Sequence, residues 1–174
     1  MGNHKIFIFG LDRAGKTLIT NYLTKGIIDN NTKPSLSFNQ SILTTQKLKI
    51  AVWDTPGQIK LRKMWLDKVV NSEVLLFVLD TSDALRFDEA KMELTNFIKG
   101  LYNYKAPIVF LFHKLDTPQG QANLAKAKEL FNLSQITIQQ VIPMETNKEN
   151  PASLDAVREK VNELLLQIEA DGGL

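Results

Sequence analysis

Cysteine is absent from the 174 residues. Disulfides, thiol nucleophiles and cysteine-based zinc sites are therefore excluded. Only two histidines occur, His4 and His113, too far apart in sequence to suggest a metal site. No apolar run is long enough for a membrane span, and the N-terminus lacks a secretory signal pattern. The C-terminal Asp171-Gly172-Gly173-Leu174 holds no cysteine and so no prenyl site. Met1-Gly2 starts as myristoylated chains do, but Ile6 stands where Ser or Thr is required. Net charge is small, with 21 basic and 19 acidic residues and no dense Lys/Arg block, which argues against a nucleic-acid partner. The expectation is a cytoplasmic protein, peripheral at a membrane only through partners and not through a C-terminal prenyl group.

What is there is a core and a loop. Hydrophobic residues make up 44% of the chain, enough for one compact domain over residues 1–174. Residues Gly10-Leu11-Asp12-Arg13-Ala14-Gly15-Lys16-Thr17 fit the phosphate-loop pattern G-x-x-x-x-G-K-[ST]. Lys5 to Phe9 before it reads as a buried strand, and Leu18 to Leu23 after it as a helix with Leu18, Ile19, Tyr22 and Leu23 inward. In that setting backbone N–H groups converge on a phosphate, aided by the positive end of the helix dipole. Asp12, Arg13, Ala14, Gly15, Lys16, Thr17 and Leu18 form the candidate phosphate-binding set. Lys16 would bridge the β- and γ-phosphates and Thr17 would offer its hydroxyl to Mg²⁺.

Gly26 to Ser37 is polar and turn-rich, and should be an exposed, mobile loop. Phe38–Thr45 and Lys47–Asp54 read as strands around a tight turn near Gln46, with Leu48, Ile50 and Val52 on the buried face. Val74–Asp80 and Pro107–His113 are continuous apolar runs ending in a polar residue, as central parallel strands do. Ile136–Ile142 is a weaker strand. Helical patterns cover Leu61–Val70, Phe87–Leu101 and Gln121–Phe131. Asn150 is placed as the N-cap of a last helix, with Pro151 at its first position and a stripe of Leu154, Val157, Val161, Leu164, Leu165 and Ile168. The expected fold is α/β: a phosphate-loop NTPase three-layer architecture with a central, mostly parallel six-stranded sheet and helices on both faces. Ligands of such sheets bind at the carboxyl ends of the strands.

Two further sets of residues fall at strand ends. In Trp53-Asp54-Thr55-Pro56-Gly57-Gln58, Asp54 can reach Mg²⁺ through a coordinated water. Gly57 lets the backbone approach a γ-phosphate closely, and Gln58 could orient the attacking water. In His113-Lys114-Leu115-Asp116, the Asp116 carboxylate can accept two hydrogen bonds side by side. Guanine offers an N1–H and a 2-amino group at that spacing, and adenine has neither pairing. Charged hydrogen bonds contribute on the order of 1.5–3 kcal/mol each, enough for strong guanine selectivity. The Lys114 stem could lie over a base or cross to the phosphate loop.

Residues 10–17, 53–58 and 113–116 together resemble the Ras superfamily of small GTPases over essentially the whole chain. Gly-Leu-Asp-x-Ala-Gly-Lys-Thr, Trp53-Asp54-x-x-Gly57-Gln58 with Leu61-Arg62 and Trp65, and Pro34-Ser35-Leu36-Ser37-Phe38-Asn39 resemble the Arf and Arf-like branch. The resemblance implies a GTP/GDP switch with Mg²⁺, slow hydrolysis, and switch loops near 27–39 and 55–70. It implies Ser35 as a metal-reaching hydroxyl and Glu145 and Thr146 in the last base-binding loop. It implies Phe38 and Trp53 as exposed residues that meet effectors. Effector, exchange-factor and GTPase-activating partners are expected, with the chain a monomer or weak dimer. The chain departs from the pattern in places. His113 replaces the usual Asn, a feature similar to Rag-type GTPases, whose C-terminal dimerisation domain this chain is too short to hold. It could donate to guanine N7 or brace the loop. Ser35 replaces Thr, the amphipathic N-terminal extension is missing, and Lys68 stands where an aromatic residue is expected. No arginine is obviously placed to neutralise developing charge, and the direction of Arg13 is open. The alternatives are a guanine nucleotide-binding module or assembly subunit without significant hydrolysis, and an adenine-specific ATPase or small kinase.

Overall fold

The structure, a computed structural model, describes residues 3–172. Gly2, the acylation candidate, lies outside the described residues. Among the described residues six strands form one sheet: β1 (Asn3–Phe9), β2 (Asn39–Thr44), β3 (Lys49–Asp54), β4 (Val74–Asp80), β5 (Ile108–His113) and β6 (Val141–Glu145). Their order is β2-β3-β1-β4-β5-β6, and every pairing is parallel except β2 with β3. The helices are α1 (Lys16–Lys25), α2 (Ile59–Arg62), α3 (Trp65–Lys68), α4 (Phe87–Gly100), α5 (Pro118–Phe131) and α6 (Pro151–Ala170). No helix among the described residues is long and apolar enough to cross a membrane.

Period-two alternation divides the core into two layers. Ile6, Ile8, Ile50, Val52, Leu76, Val78, Val109 and Leu111 pack on one face against α1 and the stripe of α6. Phe7, Phe9, Leu75, Phe77, Phe110 and Phe112 pack on the other against Trp65, Phe97 and Phe131. Phe9 lies 4.3 Å from the tilted ring of Phe97 and 5.5 Å from Trp65, centroid to centroid, the latter in the T-shaped arrangement that aromatic quadrupoles favour. The parallel strands point their carboxyl ends to one rim. The loop after β1 and the segments after β3 and β5 therefore meet there.

Four details differ from the expectation. The helix expected over 61–70 is two single turns, α2 and α3. Arg62 and Trp65 both turn inward, tied to the carbonyls of Gly57 and Pro56, and these two anchors break the helix between them. The weak strand over 136–142 begins only at Val141. A 3₁₀ turn at Leu133–Gln135 carries the chain round, Ile138 is exposed, and Gln139 donates to the carbonyl of Ala106. Asn150 stands at the N-cap of α6 without a capping side-chain bond; the Ser153 hydroxyl instead accepts from the backbone of Asn147. Helix α5 also starts earlier than expected, at Pro118, where Thr117 accepts from the backbone N–H of Gly120.

Candidate functional site

A cavity of about 490 Å³ opens on the carboxyl rim. It is lined by Asp12, Arg13 and Gly15 to Leu18 of the phosphate loop, by residues between Asp29 and Ser35, and by Gly57 and Gln58. His113, Lys114, Asp116, Thr117 and Lys148 complete it. Of the sequence-derived candidates, Ala14, Asp54, Glu145 and Thr146 do not line it.

Gly15 ends the loop at φ 104°, in the left-handed region, and opens α1. A side chain there would be obstructed as well as strained, because its Cβ would stand 2.6 Å from the ring of His113. Lys16 is 6% exposed and donates to the carbonyl of Leu11 at 2.7 Å. Burial pulls its ammonium down to about 8, with Asp54 and Asp12 opposing the fall. A buried cation short of anionic partners is what a phosphate would complete.

Thr17, Ser35 and Asp54 converge. Both hydroxyls donate to Asp54 Oδ2, at 2.7 and 2.9 Å, and stand 3.0 Å from each other. Burial pushes the Asp54 carboxyl above its ordinary value, and the two hydroxyls and Lys16 counter it. Asp54 Oδ1 is buried without a hydrogen-bond partner. One carboxylate and two hydroxyls form a hard, all-oxygen set, which fits Mg²⁺, a cation that retains waters and takes few protein ligands.

Gly57 packs directly on the phosphate loop. A Cβ at this residue would lie 2.2 Å from the nitrogen of Asp12, which leaves no space for any other residue. The Gly57 carbonyl accepts from Asp12 N at 3.2 Å and from Arg62 Nε at 2.6 Å. Gln58 follows in extended backbone and faces the cavity, with its side-chain oxygen buried and unpaired.

At the other end, Asp116 Oδ1 is buried and without a partner beside the cavity. Lys114 crosses to the phosphate loop, donating to the carbonyl of Arg13 at 2.8 Å and to Asp80 at 2.5 Å. Its backbone lies in the left-handed region, at φ 66°. His113 is 2% exposed and braces the loop beneath Gly15, with Nδ1 2.8 Å from the hydroxyl of Thr146. Burial holds its imidazole down to about 4, so it is neutral at physiological pH. Thr146 is thus behind His113. Glu145 is exposed and pairs with Lys128, away from the cavity. Lys148, three residues on, lines the cavity instead, and its ammonium bonds Asn30 at 2.9 Å.

Phe38 and Trp53 are half-buried rather than exposed, packed against the aromatic core layer. Lys68 leaves its side chain exposed, and the ammonium of Lys5 sits 4.6 Å from the Trp53 ring centroid. Sequence reasoning missed Asp80, Arg62 with its acidic partners Glu89 and Glu93, and Arg86. The polar residue ending the apolar run of β4 was the one available signal for Asp80.

Residues 2–167 match the family model described as "ADP-ribosylation factor family". ADP-ribosylation factor-like protein 5 of Caenorhabditis elegans is 36% identical over 131 residues, covering 75% of this chain and 72% of that protein. ADP-ribosylation factor-like protein 13B of Chlamydomonas reinhardtii is 33% identical over 113 residues, 65% of this chain and 21% of that protein. The Arl6 BBS3 small GTPase of Trypanosoma brucei, solved with the nucleotide analogue GppNp, superposes with a TM-score of 0.75 at 20% identity. The match covers 92% of this chain and 97% of that one, and at such identity the likeness is one of fold.

Proposed function

The chain belongs to the ADP-ribosylation factor family, and on that premise we propose that residues 1–174 form one guanine nucleotide-binding switch. It holds GDP or GTP with Mg²⁺ and hydrolyses GTP slowly. The observation that carries this reading is the single cavity shared by Lys16, Gln58 and Asp116, with Asp54 tied to it through Thr17 and Ser35.

Lys16 and the backbone N–H groups at the start of α1 hold the phosphates. Thr17, Ser35 and Asp54 would hold Mg²⁺, which when bound neutralises charge on the phosphate oxygens. Asp116 accepts from guanine N1–H and the 2-amino group. His113 in the Rag-like position keeps the phosphate loop and the base segment in register through Gly15 and Thr146, and Lys114 does the same through Arg13. Gln58 orients water for in-line attack, and Gly57 brings its N–H to the terminal phosphate. Ser35 and Gly57 belong to the two loops that order around a third phosphate and relax without it. Arg62 and Arg86 are engaged by carboxylates. A partner that supplies an arginine would raise turnover by roughly 10³–10⁵ in rate. Effector and exchange-factor proteins complete the cycle, and attachment to a membrane surface runs through such partners.

Two measurements test the reading. Competition of GDP against ADP should favour GDP by at least a hundredfold, on the order of two charged hydrogen bonds; equal affinity would end the guanine assignment. Single-turnover phosphate release from GTP should be slower in Gln58→Leu than in the unmodified protein. Equal rates would leave a nucleotide-binding module without useful turnover.

A further inference from the structure

Asp12 stands at the phosphate end of the cavity, beside Lys16 and against Gly57. Its position is unusual for an acid, because the cavity is shaped for an anion. The carboxylate is not loose. Asp12 Oδ1 accepts from Arg86 Nη2 at 2.7 Å and from Arg62 Nη2 at 3.4 Å, and Arg86 Nη1 also donates to the Asp12 carbonyl at 3.2 Å. Both arginines are anchored from behind by α4. Glu89 accepts from Arg86 Nε at 2.9 Å and from Arg62 Nη1 at 2.8 Å, and Glu93 accepts from Arg62 Nη1 at 3.1 Å. Neither arginine lines the cavity; of this five-residue network only Asp12 does. Burial alone would raise the Asp12 carboxyl, but Arg86 and then Arg62 outweigh it and hold the group below its ordinary value, so it stays ionised. A full negative charge therefore sits beside the seat of a terminal phosphate, held back by two cations.

We infer that Arg86 is a positioning residue that selects triphosphate over diphosphate by drawing the Asp12 carboxylate away from the terminal phosphate seat. This rests on the guanine-nucleotide reading. Released from Arg86, the carboxylate would face the γ-phosphate and repel it. A diphosphate does not reach that seat and is indifferent to the change. Arg62, locked by Glu89, Glu93 and the Gly57 carbonyl, cannot take over, because its contact with Asp12 is already long.

The test compares affinities for GDP and for a non-hydrolysable imido analogue of GTP in four forms of the full chain: unmodified, Arg86→Ala, Arg86→Lys, and Arg86→Ala combined with Asp12→Asn. The readout is the ratio of the two affinities, which a global loss of folded protein leaves unchanged. Arg86→Ala should weaken the analogue about tenfold, the worth of one engaged charge near 1.4 kcal/mol, while GDP changes less than twofold. Arg86→Lys should restore part of the ratio, and adding Asp12→Asn should restore nearly all of it. An unchanged ratio in Arg86→Ala, or a lowered ratio that Asp12→Asn does not recover, overturns the inference. If the unmodified chain binds neither nucleotide, the functional reading itself falls, and that result is distinct from an unchanged ratio.

Discussion

Raising the pH from 7 to 9 should weaken nucleotide binding through Lys16. In the ligand-free protein burial brings this ammonium down to about 8 from an ordinary value of 10.5. Phosphate oxygens beside it would return the value to the ordinary one or above. Ligand-free and bound forms are both charged at pH 7, so binding there takes up almost no proton. At pH 9 the ligand-free form is mostly neutral and must capture a proton to bind. Affinity should then fall about tenfold between pH 7 and 9, near 1.4 kcal/mol. Stability should move the opposite way. Between about pH 8 and 10.5 the folded, ligand-free protein binds fewer protons than the unfolded chain, so its stability rises with pH across that window. The rise totals about 3 kcal/mol; below pH 8 both states are protonated and the penalty is constant. Fluorescent GDP titrations at fixed ionic strength read the first effect and denaturant melts of nucleotide-free protein the second. A Lys16→Gln variant retains any titration of the base and supplies the baseline. Flat affinity in the unmodified chain, or the same slope in the variant, would refute the argument.

Asp116→Asn exchanges one acceptor for a donor, which suits the N1–H and 2-oxo group of xanthine. GDP affinity should drop at least tenfold while xanthosine diphosphate gains, since a charged hydrogen bond is worth about 1.5–3 kcal/mol; retained guanine preference in competition assays would remove Asp116 as base reader. Gly57→Ala places a Cβ 2.2 Å from Asp12 N, so the segment must retreat by about an ångström and single-turnover hydrolysis should fall about a hundredfold. Unchanged rates would show that Gly57 and Gln58 are not held by that contact. Phe97→Ala opens a cavity where Phe7, Phe9 and Trp65 meet. It should cost about 3–5 kcal/mol and lower Tm by roughly 10 °C, and a loss under 1 kcal/mol would contradict the packing described.

The parts legible in the sequence were those whose cause is local. Val74–Asp80 is a strand with both faces covered, and its continuous apolar run marks both of its ends. The phosphate loop is read from glycine spacing because strand, turn and helix follow one another directly. What escaped is made of contacts between distant residues. Arg62 reaches Glu89, Glu93 and Asp12 across 27 to 50 positions, and Arg86 reaches Asp12 across 74. No periodicity encodes such pairs. The family resemblance points to Glu145 and Thr146 for the base segment, whereas Lys148 is the residue there that lines the cavity, and no local pattern marks it. Helix α2 was drawn too long because Leu61, Trp65 and Val69 keep helical spacing while the chain between them breaks to anchor Arg62 and Trp65.

Whether the cavity holds a guanine nucleotide with Mg²⁺ is decided by heating the purified protein, removing the denatured chain, and identifying the released nucleotide by chromatography. About one GDP or GTP per chain is expected, released far faster when EDTA is added before heating. An adenine nucleotide in that fraction, or none after reloading with GTP and Mg²⁺, would contradict that expectation.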